Sequence, residues 1–180
     1  VGYYSLASTV NLMWVFVLQA IIDSMYPTIM NLYGKDKKTF ERKNRQLYAI
    51  VIYVSMMAAV CFVIFAPLVI RILYGEAYLP AVGPLRIITW YTIFSYLGVA
   101  RNAWIVCENK QKYLKYMYLS ASFINVGLNY IMIPMWGASG AALASLITQI
   151  CTSLILPCFW KDMRPNVKLM IDAFLLRGIK

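Results

Sequence analysis

The chain has no histidine, and its four cysteines show no CxxC pair or other metal-ligand spacing. Histidine is the commonest general base and metal ligand, so its absence excludes Ser–His and Cys–His catalytic pairs. The cysteines, Cys61, Cys107, Cys151 and Cys158, lie within or at the ends of apolar stretches, and we interpret them as small packing residues. A Gly-rich phosphate loop and a carboxylate pair are also missing. The sequence therefore predicts no catalytic residues, no metal site and no cofactor.

Charged residues are scarce as well. They make up 13% of the chain, against roughly 25% in an ordinary soluble domain, while 62% of the residues are hydrophobic. A domain near this size buries only about 70% of its unfolded surface, so one core could not hide so many apolar side chains. This composition excludes a soluble enzyme and a disordered chain. The net charge of +10 still suggests nucleic acid, an anionic membrane or an acidic substrate.

Long uncharged stretches predict an all-α, polytopic membrane bundle with five transmembrane helices. Residues 46–70 contain no charge, and 25 residues suffice to cross a hydrocarbon core of about 30 Å. The 45 uncharged residues between Lys115 and Lys161 are about twice as long as needed, and Pro134 and Gly140 divide them into two spans. The predicted helices cover residues 4–32, 47–72, 82–106, 116–134 and 138–160, and an amphipathic tail follows at 161–180.

The basic residues alternate between connections, which predicts the orientation. The first and third connections and the tail carry 15 of the 17 Lys and Arg, whereas the second connection has only Arg71 and Arg86. Basic connections stay in the cytoplasm, so the first helix runs inward and the C-terminus is cytoplasmic. The positive charge is then explained by topology, and nucleic acid is not an expected partner. The chain begins inside a span, so we expect an earlier crossing, and thus an N-terminal part, to precede it.

Polar residues run along one face of the first predicted helix. At 100° per residue they project within an arc of about 120° and comprise Ser5, Ser8, Asn11, Gln19, Asp23 and Tyr26. Two interpretations are open: the wall of a hydrated cavity, or hydrogen bonds to neighbouring helices. Asp23 is the only acid within a span, and Pro27 frees its backbone carbonyl. Asp23 could bind a cation or a proton, with Gln19 and Asn11 lining the same cavity, or it could form a structural ion pair.

Two arginines on the third predicted helix are candidates for anion binding. Arg86 and Arg101 are separated by about 22 Å of rise and about 60° of rotation, near the two membrane boundaries. Arginine binds phosphate bidentately, so the pair would suit a diphosphate, with Arg71 as a third contributor. The alternative is that the arginines snorkel to the interfaces as anchors. Asn129, four residues after Asn125, is a candidate for sugar contact, although both asparagines could serve helix packing alone.

Several stretches resemble a known transporter family. They are VGYYSLA at residues 1–7, LYGEAY at 73–78, LRII at 85–88 and, most specific, INVGLNYIMIPMWGASGAALAS at 124–145. The chain resembles the polysaccharide (O-antigen and capsule) flippases of the multidrug, oligosaccharidyl-lipid and polysaccharide exporter superfamily, over nearly its whole length to Trp160. The resemblance implies the last five helices of a twelve-helix protein with two lobes around a cavity.

The resemblance also implies a function. We expect a transporter, not an enzyme, that moves undecaprenyl-diphosphate-linked oligosaccharide from the inner to the outer leaflet by alternating access. Its expected location is the bacterial inner membrane, and its expected partners are the lipid-linked oligosaccharide, the lipid bilayer, H+ or Na+ as coupling ion, and other polysaccharide-assembly membrane proteins. The alternatives are a multidrug or cation antiporter of the same superfamily and a membrane glycosyltransferase or polymerase.

Overall fold

A computed structural model describes residues 2–178, so the predicted tail is described up to Gly178, and Val1, Ile179 and Lys180 lie outside the described part. The described residues form helices and contain no strand. The α-helices are α1 (Gly2–Leu32), α2 (Lys37–Tyr74), α3 (Val82–Cys107), α4 (Lys112–Ile150), α5 (Leu156–Phe159) and α6 (Arg164–Phe174). Shorter segments join them: 3-10 helices at Glu76–Ala81 and Lys161–Met163, and a π-helical turn at Cys151–Ile155.

Three helical stretches are long and apolar enough to cross a membrane: Gly2–Leu32, Lys37–Tyr74 and Lys112–Phe159. The predicted all-α membrane bundle is therefore confirmed. The fourth long helix, α3, packs against α1, α2 and α4, and half of its residues are buried. Because α3 is enclosed by its neighbours, it can carry Arg86 and Arg101 without presenting both to lipid.

The longest stretch folds back on itself at Gly137. This residue has φ 56° and ψ −127°, a left-handed conformation that favours glycine, and it lies between the fourth and fifth predicted helices. Asn125 Nδ2 lies 3.4 Å from Thr148 Oγ1, so the arms 112–136 and 138–159 run antiparallel as a hairpin. They approach so closely that a Cβ at Gly140 would clash with the carbonyl oxygen of Met132. We call this pair of arms the α4 hairpin.

The first connection is much shorter than the sequence suggests. We predicted a basic loop before residue 47, but α2 begins at Lys37, and only residues 33–36 separate it from α1. The Asp36 side chain caps the new helix by accepting hydrogen bonds from the Thr39 backbone amide at 3.1 Å and from the Thr39 hydroxyl at 2.6 Å. These hydrogen bonds hold the pKa of Asp36 below its usual range. The basic residues of this region thus extend the helix beyond the apolar stretch.

The C-terminal helix α6 packs onto α2. Asn166 Nδ2 donates to the buried Tyr48 hydroxyl at 2.7 Å, and Arg45 lies 3.9 Å from the Asp172 carboxylate. Leu169, Met170 and Ala173 join the hydrophobic core cluster at this end of the bundle. We expected the tail to be amphipathic: the three core residues of α6 are buried against the bundle, whereas Ile171, Phe174 and Leu176 are exposed.

Asp162, just before α6, ties the C-terminal segment to the start of α4. It accepts a hydrogen bond from the Tyr113 hydroxyl at 2.7 Å and lies 3.2 Å from the Lys110 ammonium group. These two contacts hold the pKa of Asp162 below its usual range. The ends of α2, α3 and the α4 hairpin are therefore joined through the C-terminal segment at the basic side of the bundle.

Candidate functional site

A polar cavity of about 230 Å³ lies between α3 and both arms of the α4 hairpin. Its polar lining comes from α3 and from the two arms, and comprises Tyr91, Ser95, Arg101, Asn102, Tyr118, Gln149 and Thr152. Hydroxyl, amide and guanidinium groups therefore converge on one space between the helices. We call this space the Arg101 cavity.

Among residues 2–178, Arg101 is the only cation lining this cavity, and it is 5% exposed. Its Nη1 donates to the backbone carbonyl of Ser153 at 3.3 Å, and its Nε has no hydrogen-bond partner within residues 2–178. None of the ion pairs found in this part of the chain involves Arg101. A second buried atom at the cavity, Asn102 Oδ1, is likewise without a partner among the described residues. The site thus holds a buried positive charge that no carboxylate of residues 2–178 offsets.

The π-helical turn at Cys151–Ile155 explains how Arg101 finds a backbone acceptor in the facing helix. In this turn the Ser153 hydroxyl donates to the Phe94 carbonyl of α3 at 2.9 Å, and the Ser153 carbonyl faces Arg101. Such turns loosen the regular helical ladder and are often found at functional sites. Ser153 therefore clamps the second hairpin arm to α3 next to Arg101.

The polar lining continues away from Arg101 along the hairpin. A neighbouring depression shares Tyr91, Tyr118 and Gln149 with the Arg101 cavity and adds Asn125 and Thr148. Asn125 accepts a hydrogen bond from Asn129 Nδ2 at 2.8 Å, and Asn129 Oδ1 is buried without a partner among the described residues. We call the polar path from Arg101 to Asn129 the polar track.

Most of this track was not predicted from the sequence, although the spacing of its residues carries a signal. On the first arm the polar residues Tyr118, Ser122, Asn125 and Asn129 recur every three or four positions, which places them on one helix face. On the second arm the same spacing relates Ser145, Thr148, Gln149 and Thr152. The two faces meet because the hairpin turns at Gly137, and the register of that meeting could not be read from the spacing alone.

The structure separates the three candidate arginines. Arg86 is exposed, and its Nε donates to the Val63 carbonyl of α2 at 2.9 Å. That carbonyl lies four residues before Pro67, which has no N–H to offer it, so Arg86 supplies the missing donor. Arg71 is exposed and forms an ion pair with Glu76. Neither residue lines the Arg101 cavity.

The polar face of α1 divides into two environments. Asn11 is buried, donates from Nδ2 to the Thr92 hydroxyl of α3 at 2.8 Å, and accepts from the Trp14 indole at 3.1 Å. Gln19 and Asp23 lie further along, where Gln19 Nε2 donates to Asp23 Oδ1 at 2.9 Å. Asp23 is exposed, and no cation pairs with it among the ion pairs of residues 2–178. The structure therefore brings Gln19 and Asp23 together but not with Asn11.

Comparison with known proteins finds similarity to polysaccharide biosynthesis proteins. Residues 1–83 match the protein family described as "Polysaccharide biosynthesis protein". The chain is also similar to the capsular polysaccharide biosynthesis protein CapF of Staphylococcus aureus, with 23% identity over 166 residues. That match covers 89% of this chain and 42% of CapF, so the chain spans less than half the length of this relative. No solved structure matches the chain. The resemblance seen in the sequence is confirmed at the level of polysaccharide biosynthesis proteins.

Proposed function

We propose that this chain, similar to polysaccharide biosynthesis proteins, forms part of a membrane transporter that flips a lipid-linked oligosaccharide between leaflets. The substrate class is undecaprenyl-diphosphate-linked oligosaccharide, and the mechanism is alternating access. The observation that carries this proposal is Arg101: a buried guanidinium without a carboxylate partner, in a polar cavity inside a membrane bundle.

The charge of Arg101 calls for an anion from outside the described chain. Burying an ion away from water costs several kcal/mol when no counterion offsets it. A diphosphate would offset the charge of Arg101. It would also accept hydrogen bonds from the guanidinium N–H groups that do not bond to Ser153, in the bidentate geometry that guanidinium favours. The same cavity therefore provides both the charge and the hydrogen-bond donors that this headgroup requires.

The position of Arg101 is consistent with substrate entering the cavity from the side of the membrane on which the basic residues lie. It stands six residues before the end of α3 at Cys107, which corresponds to about 9 Å of rise. The positive-inside rule assigns that end to the cytoplasm, where lipid-linked precursors would be bound. A diphosphate held at Arg101 would place the attached sugars along the polar track toward Asn129, where amides and hydroxyls can hydrogen-bond to them.

Asp23 is the residue we propose for ion coupling. Its carboxylate contacts the Gln19 amide and no Lys or Arg of residues 2–178, so it remains available to H+ or Na+. Replacing Asp23 with Asn should abolish any dependence of transport on a cation gradient in proteoliposomes while leaving gradient-independent binding intact. Retained gradient dependence in that variant would assign Asp23 a structural role instead.

The central experiment replaces Arg101 in the full-length protein. We expect Arg101→Ala to lower surface polysaccharide at least about tenfold, because a charged bidentate contact is lost, and lipid-linked oligosaccharide should accumulate on the inner leaflet. Arg101→Lys should retain part of the export, since it keeps the charge but not the planar fork. Lys115→Gln, which removes an exposed charge outside the cavity, serves as the control.

Protein levels in the membrane must be equal in all variants for this comparison. Export at normal levels in Arg101→Ala would overturn the assignment of the diphosphate to this cavity. Altered drug resistance without a change in surface polysaccharide would favour a multidrug exporter, and sugar transfer by the purified protein would favour a glycosyltransferase or polymerase.

A further inference from the structure

A second cavity of about 350 Å³ lies on another side of α3 and differs from the first in chemistry. Its walls are apolar side chains from α2, α3, the π-helical turn and α6. Along α3 they include Trp90, Phe94 and Leu97, and α6 contributes Ile171 and Phe174. We call this cavity the apolar groove.

The groove is elongated along α3. From Trp90 to Leu97 the helix rises about 10.5 Å, and α6 borders the groove toward the basic end of the bundle. The position of α6 is held by the hydrogen bond from Asn166 to Tyr48 and by the Tyr53 hydroxyl, which donates to the Phe174 carbonyl at 2.8 Å. The groove therefore has a fixed border at that end.

The occupant of this groove must itself lack polar groups along its length. None of the partnerless buried polar atoms among residues 2–178 belongs to a residue of the groove wall. An extended peptide inserted there would leave its backbone N–H and C=O groups without hydrogen bonds, at a cost of several kcal/mol each. A helix satisfies its own backbone but is about 10–12 Å across, too wide for a space of about 350 Å³. A hydrocarbon chain meets no such cost.

One cation of α6 lies near the groove. At 100° per residue, Arg164 projects within about 20° of Ile171, on the side turned away from the buried face. The Arg164 Nε donates to the Cys158 carbonyl at 2.9 Å, one helical turn beyond Leu154 of the groove wall, which holds this side chain in place. Lys168, on the same helix, lines a different cavity together with Asp162 and Asp172. Arg164 thus provides a positive charge near one end of the apolar groove.

We propose that the apolar groove binds an acyl chain of an anionic phospholipid, with the headgroup phosphate on Arg164. This site is separate from the Arg101 cavity and does not depend on which substrate is transported. The bound lipid would fill the space between α3 and α6 and so fasten the C-terminal helix to the bundle.

Trp90 provides a direct test, because bromine on an acyl chain quenches a nearby indole. The full chain is reconstituted in mixed vesicles of phosphatidylcholine and phosphatidylglycerol, with bromine on the chains of one lipid or the other. The Trp90 signal is the difference between the wild type and Trp90→Phe, and Trp136→Phe gives the matched signal of an exposed indole at the hairpin turn. We expect phosphatidylglycerol to quench Trp90 more than phosphatidylcholine does, and to quench Trp136 without preference.

The headgroup contacts are tested with charge-removing variants. Arg164→Gln should lower the Trp90 preference by up to about fivefold, since a basic residue near an anionic surface contributes about that factor. The control pair Lys38→Gln and Lys115→Gln removes two exposed basic charges elsewhere and should leave the preference unchanged. Equal quenching by both lipids, no quenching of Trp90, or the same loss in the control pair would overturn the proposal.

A second measurement does not depend on tryptophan replacement. Ile171→Asn places an amide on the groove wall, whereas Leu175→Asn places the same amide at the exposed residue that follows α6, outside the groove. Native mass spectrometry of the purified chain should show phosphatidylglycerol retained by the wild type and by Leu175→Asn, and lost from Ile171→Asn. Equal retention by both variants would contradict the assigned site.

Discussion

The two cavities beside α3 are close in space and opposite in character. The Arg101 cavity is lined by hydroxyls, amides and a buried guanidinium, whereas the apolar groove is lined by aliphatic and aromatic side chains. Both use the same stretch of α3, and residues only a few positions apart, such as Ser95 and Leu97, face different cavities. One helix can therefore separate a polar space from a hydrocarbon-like one inside the membrane, because successive residues project about 100° apart.

Introducing a charge into the wall of the apolar groove should have the largest effect on stability. Leu97 is 3% exposed, and Leu97→Asp would bury a carboxylate in a wall that offers it no partner. We expect a loss of at least about 3 kcal/mol, the cost of a charge at the centre of a membrane helix. Thermal unfolding in detergent and the amount of protein in the membrane measure it. Leu97→Met, which keeps the wall apolar, is the control, and equal stability of the two variants would contradict the assigned environment.

Forcing the hairpin open should damage one cavity and spare the other. Gly140→Val adds side-chain atoms where the Met132 carbonyl approaches, so the arms must separate, at a cost of about 1–3 kcal/mol. Both arms line the Arg101 cavity, whereas the groove lies mainly between α2, α3 and α6. Export should therefore fall while lipid quenching of Trp90 persists. Gly127→Ala, on the open face of the first arm, is the control, and parallel loss of both readouts would show that the cavities are not independent.

Removing only the charge of Arg101 should change stability little. Arg101→Met keeps most of the side-chain volume, loses a hydrogen bond to Ser153 and removes a buried charge that has no carboxylate partner. These effects oppose each other, so we expect the free energy of unfolding to stay within about 1 kcal/mol of the wild type. Surface polysaccharide should nevertheless fall as in Arg101→Ala. A large loss of stability would mean that Arg101 holds the helices together and need not contact substrate.

Arg86 should show the smallest effect. Arg86→Gln weakens the contact with the Val63 carbonyl, which Pro67 leaves without a helical donor, but this site is exposed and water can replace the guanidinium. We expect a loss of about 0.5 kcal/mol in the free energy of unfolding and a smaller effect on export than at Arg101. A full loss of export at normal protein levels would contradict this prediction and indicate that Arg86 contacts the substrate.

The helices and the hairpin turn could be predicted because each depends on local features. Uncharged length, Pro134 and the glycines near it are readable along the chain, and the turn forms at Gly137, where a left-handed backbone conformation is needed. The early start of α2 was missed because Asp36 and Thr39 form a helix cap inside a stretch that its charges made resemble a loop.

The candidate arginines could be named from the sequence but not ranked. Arg86 and Arg101 have similar neighbours in the chain, and both could have reached an interface by extending their side chains. Their different environments follow from the helices packed around α3: Val63 of α2 meets Arg86, and the π-helical turn meets Arg101. Neither partner is near its arginine in sequence.

The sequence by itself determined that this is an all-α membrane protein with a reversal near Gly137 and basic residues on alternate connections. Hydrophobicity, helix breakers and charge act locally, so they can be read without knowing what packs against them. Only the tertiary structure decided which polar residues share a cavity, that Arg101 is buried without a carboxylate, and that α6 borders an apolar groove. Those properties depend on the register and rotation of neighbouring helices, which are set by packing between residues far apart in the chain.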